Sequence, residues 1–133
     1  MQLKLKLIMD LVNIFINSSM ALSIKKQGIN FEIDQGCTFS KTFTAKNANN
    51  ANVTITAGSI AARMQKSYDT SNTSLRLDFT TSTSGSNVTI SATATQTASM
   101  AHGRYYYDIE WTHDTVEVER IAEGIITLSP GVT

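Results

Sequence analysis

Three observations predict an all-β chain folded as an immunoglobulin-like antiparallel β-sandwich. Apolar residues recur with period two through most of the chain beyond residue 30, which is the spacing of half-buried strands. Ser and Thr make up about a quarter of the residues, and there is one Pro; Thr is β-branched and suits a pleated, half-solvated face. Asn-, Ser- and Gly-rich stretches punctuate the periodic runs at short intervals, giving roughly seven to nine short strands, as a sandwich requires. The length, 133 residues, fits one domain. Residues 22–133 read as that single domain, and 1–21 as an N-terminal extension.

Each element follows from its own pattern. FEID places Phe31 and Ile33 on one face, and Asp34–Gly36 is a turn. CTFSKTFTAK puts Cys37, Phe39 and Phe43 on a shared face with Lys41 among them, a placement that marks a bulge or an edge strand. Asn47–Asn52 is a loop, since Asn tolerates left-handed backbone, and VTIT after it is a candidate strand. In SIAARMQ, Ile60, Ala62 and Met64 face one way and Arg63 and Gln65 the other. Residues 67–74 are a polar loop. LRLDF alternates Leu75, Leu77 and Phe79 against Arg76 and Asp78, and TTSTSGSN reads as a further loop. VTISA sends Val88 and Ile90 inward. A single helical turn is expected near 93–100, with Met100 turned to the core and Gly103 ending it. GRYYYDIEW is the longest clean strand, His113-Asp114 a turn, and VEVERIAEGIITLS one bent strand or two.

The extension begins with Lys4 and Lys6 and runs largely apolar from Leu7 to Ile16, interrupted by Asp10 and Asn13, which weaken a signal-peptide reading. A secretory signal, a mis-assigned start ahead of Met20, and an amphipathic docking helix all fit it. The apolar run falls short of the about 20 residues that span a membrane.

The chemistry is sparse. Eleven basic residues balance eleven acidic ones, so the cationic excess of a nucleic-acid or anionic-membrane binder is missing. The lone Cys37 rules out an intramolecular disulfide and is expected to be a small buried hydrophobe. His102 and His113 lack metal-ligand spacing. No catalytic, cofactor or metal residue is predicted. Four Asn-x-Ser/Thr sequons start at Asn17, Asn52, Asn72 and Asn87, as expected in a chain this rich in those residues. In GRYYYDIEW, period two sets Tyr105, Tyr107, Ile109 and Trp111 against Arg104, Tyr106, Asp108 and Glu110. The tyrosines therefore do not cluster. Asp108 and Glu110 share a solvated face, where partners such as Arg63, Arg76 or Arg120 contribute about 0.2–1 kcal/mol each. A glycosidase pair needs a cleft and an acid of raised pKa, which a flat strand face does not supply. Tyr106 and Trp111, the latter at a strand end and partly exposed, are the candidate contact residues. With the polar loops, Trp111 also suits a secreted carbohydrate-binding or adhesin-like module.

Five segments taken in order, IDQGCTFSKTF (33–43), AARMQKS (61–67), VTISATATQTASM (88–100), GRYYYDIEW (103–111) and VERIAEGIITLSPGVT (118–133), resemble a family of small tailed-bacteriophage and prophage virion structural proteins. Stand-alone marine and cyanophage members are similar in size, and the N-terminal domain of phage baseplate upper proteins looks similar. The likeness covers residues 30 to 133; the first twenty residues and the Asn-rich loop depart from it. It implies a β-sandwich virion protein without catalytic residues or cofactor. Such a protein is an accessory of tail, neck or baseplate, or a capsid decoration, located in the virion. Its partners would be other virion proteins and further copies of itself in a symmetric array, with no nucleic acid and no membrane among them.

Overall fold

The computed structural model describes residues 24–55, 58–66, 75–113 and 117–132. The candidate extension 1–21, the loop 67–74 and Asp114 lie outside those residues, as do the sequons at Asn17 and Asn72. The described chain is an all-β sandwich, and its arrangement is compatible with an immunoglobulin-like one. Nine strands appear in order: β1 (Gln27–Gly28), β2 (Phe31–Asp34), β3 (Phe39–Thr44), β4 (Ser59–Gln65), β5 (Arg76–Asp78), β6 (Thr80–Ser84), β7 (Asn87–Ala92), β8 (Gly103–His113) and β9 (Glu117–Ser129). One short helix, α1 (Ala94–Ala98), precedes β8. The larger sheet runs β1-β9-β8-β4-β5, with β2 also on β9; the smaller runs β3-β7-β6.

Alternation decides which side of each strand is buried. Met64, Tyr105, Ile109, Trp111, Ile126 and Leu128 of the larger sheet pack against Phe43, Val88 and Ile90 of the smaller, so the two apolar faces share one core. The chain changes sheet at Phe79, whose N–H donates to Ala62 O at 2.9 Å between β5 and β6. Pairing is antiparallel throughout, except that β1 and β2 run parallel to β9 in one register, Gln27 opposite Ala122 and Phe31 opposite Ile126. The run breaks at Ile29–Asn30, where the Asn30 side chain accepts the Ile125 N–H at 2.9 Å.

Several expectations change. Thr80–Ser84 is strand β6, not loop: it pairs with β7 from Thr80 opposite Ser91 to Ser84 opposite Asn87. Nearly all of it is exposed, so both its faces are polar and no alternation marks it. Of VTIT, residues 53–55 are described and form no strand; one bridge, Lys46 to Asn52, stands beside them, and Val53 reaches the core from an irregular segment. Cys37 is exposed rather than buried, because β3 begins only at Phe39 and the cysteine belongs to the preceding turn. His113 is not in a turn but ends β8, 3% exposed. β9 is a single strand of 13 residues, shifted in register against β8 between Ile109 and Glu110. Lys41 does mark an edge strand: its ammonium lies 5.4 Å from the Phe31 ring centre and 5.6 Å from that of Phe43.

The helical turn forms where expected. Thr93 caps it, its hydroxyl accepting from Gln96 N–H while the Gln96 side chain accepts from Thr93 N–H, a reciprocal capping box. Met100 is buried beyond it. The helix ends at Ser99, and Gly103 instead opens β8. Buried Thr97 fastens the helix to the β2–β3 turn, accepting from Gly36 N–H at 3.0 Å and donating to Cys37 O at 2.8 Å. Thr97→Val keeps the shape but strands both groups. Chemical denaturation should show a loss of about 1–3 kcal/mol.

Candidate functional site

The outward face of the larger sheet carries the polar chemistry. Register sets three rows across it. Gln65, Tyr106 and Ile125 form one; Asp78, Arg63, Asp108 and Glu123 the next; Ala61, Glu110 and Arg120 the third. The bulge after Ile109 brings Arg120 opposite Glu110; without it Ile121 would stand there. Ile121 is wholly buried instead.

Arg120 is the hub of this face. Its guanidinium lies 2.9 Å from Glu123, 3.3 Å from Glu110 and 3.6 Å from Asp108. Of the three arginines expected to serve the Asp108–Glu110 pair, Arg120 does so; Arg63 and Arg76 bind Asp78 instead, at 2.5 and 3.8 Å. Lys26 reaches Glu123 at 2.6 Å. Hydrogen bonds from Lys26 and then Arg120 hold the Glu123 carboxyl below its ordinary range. The bond to Glu123 raises Arg120 in turn. Asp108 goes the other way: burial, then the Glu110 charge, push its carboxyl up, against the pull of Arg120 and Arg63.

An acid raised on folding stabilises the fold below its unfolded pKa, and that contribution is lost as pH rises through the folded value. Asp108→Asn should therefore match the parent below about pH 4 and exceed its stability toward neutral pH. Urea midpoints across a pH series read this directly.

These groups rim a depression of about 680 Å³, so the face is concave rather than flat, and Asp108 is an acid of raised pKa. Asp108 and Glu110 nonetheless project from one strand in one direction and share one guanidinium. They do not flank a bond from two sides, as glycoside hydrolysis requires.

The two candidate contact residues separate. Tyr106 is 44% exposed and lines the depression. Trp111 is 1% exposed, a correction of the expected partial exposure: β8 continues two residues past it, and the His113 ring packs on the indole at 4.3 Å between centres. His113 Nε2 shares a 2.9 Å hydrogen bond with Glu119, whose other oxygen accepts the Ile24 N–H at 3.0 Å. The depression itself is not visible in any one segment; its sequence trace is the small residues Ala61 and Gly28 among longer ones.

Among the described residues, no group of three or more His, Cys, Asp or Glu side chains is placed to hold a metal ion, and no helix is long and apolar enough to cross a membrane.

No protein-family model matches the chain, and no curated protein matches it. Among solved structures, domains 4 and 5 of the S-layer protein SbsC align with 80% of this chain and 44% of that one, at 13% identity and a TM-score of 0.47. An internalin-like protein of Listeria monocytogenes, lmo2027, aligns with 82% of this chain and 30% of that one, at 15% identity and a TM-score of 0.39. The chain thus spans less than half of either.

Proposed function

We propose that this chain is a non-enzymatic structural protein of a tailed-bacteriophage particle, an accessory of tail, neck or baseplate or a capsid decoration, present in several symmetric copies. One observation carries the reading. The five segments that resemble such proteins fall largely on elements that build the sandwich: the end of β2 with the turn after it and Phe39–Phe43 of β3, most of β4, β7 with α1, β8, and β9. The likeness therefore falls mainly on strands, takes in the β2–β3 turn, and leaves β1, β5 and β6 outside it.

Contacts through loops suit this role better than strand addition at β3. That edge strand points Lys41 inward over Phe31 and Phe43, a device that discourages pairing with another chain. The alternative of a secreted carbohydrate-binding module resting on Trp111 loses its contact residue to the core. The test is mass spectrometry of density-purified particles from the organism that encodes the chain, followed by cryo-EM. The chain should co-purify with particles at a fixed stoichiometry. Its recovery only from particle-free fractions would overturn the reading.

A further inference from the structure

The depression on the outer sheet face is built in a way that particle contacts do not require. Ala61 and Gly28 raise little or nothing above the sheet on this side, so the floor is low there. Its volume, about 680 Å³, lies within the roughly 300–1,000 Å³ of small-molecule sites. One row offers the Tyr106 ring, 44% exposed, between the Gln65 amide and Ile125. The neighbouring rows offer carboxylates and guanidinium groups.

Three properties select the ligand. The polar groups hold one another in place before anything binds, through Arg120 to three carboxylates and Arg63 to Asp78. The ordering cost of binding is reduced accordingly. Four carboxylates line the depression, Asp78, Asp108, Glu110 and Glu123, against the two guanidiniums of Arg63 and Arg120. This balance repels phosphate and sulfate. Each of those carboxylates also has a cation at 3.6 Å or less. A basic peptide therefore finds its partners already engaged, while carboxylate oxygens keep lone pairs for hydroxyl donors. An aromatic face beside fixed donors and acceptors matches a pyranose, which shows C–H bonds on its faces and O–H groups around its rim.

We infer that this depression is a binding site for a neutral oligosaccharide, with Tyr106 as the stacking platform and Gln65, Asp108, Glu110 and Arg120 as its hydroxyl partners. The site stands independently of the particle role and does not need it.

The test is an NMR titration of the full chain with cellotriose, maltotriose and chitotriose, each to about 20 mM. At least one sugar should shift the amides of Gln65, Tyr106, Asp108 and Ile125 saturably, with a millimolar dissociation constant that high salt leaves unchanged. Tyr106→Ala should weaken binding about tenfold or more, and Tyr106→Phe should restore it. The inference is overturned if none of the three sugars gives saturable shifts there, or if Tyr106→Ala binds as well as the parent. A salt-sensitive response to trilysine without any response to the sugars would overturn it too.

Discussion

Trp111→Ala should destabilise the protein by about 3–5 kcal/mol, the range for removing a large aromatic from a core. The residue is 1% exposed, and the His113 ring rests on its indole. Truncation leaves a cavity and deprives His113 of its packing. That imidazole shares its hydrogen bond with Glu119, which also holds the Ile24 N–H. The damage should therefore spread to Ile24, the first described residue. Guanidinium unfolding followed by far-ultraviolet circular dichroism measures the loss, since Trp111 is the sole tryptophan and its fluorescence disappears with it. In the parent protein, acrylamide should quench that fluorescence slowly. Fast quenching together with a small stability change would make Trp111 a contact residue after all.

Legibility in the sequence follows the contrast between the two faces of a strand. Where one face is apolar and the other charged, as in Tyr105–Trp111 or Ile60–Gln65, alternation puts every side chain on its proper face, though it leaves the depth of Trp111 unread. Where both faces are polar, as in Thr80–Ser84, the strand is held by its neighbour's backbone and reads as loop. Where an apolar residue enters the core from irregular chain, as Val53 does, period two gives it a strand it does not have. Cys37 fails for a related reason: the alternation of β3 extends back to it, but the turn after Asp34 has already taken it out of the sheet.

The candidate site was legible only in part. Its face assignment follows from one strand, and Tyr106 and Arg120 both emerged as relevant. Its concavity arises from register among β1, β4, β8 and β9, together with one bulge that puts Arg120 rather than Ile121 beside Glu110. Neither is written within any single segment. The parallel pairing of β1 and β2 with β9 is equally non-local: it joins the two ends of the described chain.

Tyr107→Ala should cost about 3–5 kcal/mol, whereas Tyr106→Ala, on the opposite face, should cost well under 1 kcal/mol, as solvent-side substitutions do. Equal losses would sink the assignment of faces. Tyr107 matters because it joins three parts of the fold. Its ring meets Phe31 of β2 edge-on at 5.0 Å and Phe43 of the smaller sheet at 6.2 Å. Its hydroxyl donates to Ile29 O at 2.6 Å, at the break between β1 and β2. Gly124, opposite Tyr107 on β9, makes that approach possible: a Cβ there would lie 2.3 Å from Ile29 O. Gly124→Ala should therefore push the first strands off β9 and cost about 1–3 kcal/mol through overpacking. Burial, and then the Glu123 charge, push the Tyr107 phenol up to about 12, against about 10 in an unfolded chain. The fold therefore favours the neutral phenol. Its contribution is complete below pH about 10 and is lost as pH rises toward about 12. Tyr107→Phe should lower stability at neutral pH by about 0.5–1.5 kcal/mol, the worth of the lost hydrogen bond, and should flatten the alkaline decline. A variant that declines as steeply as the parent would place that titration elsewhere.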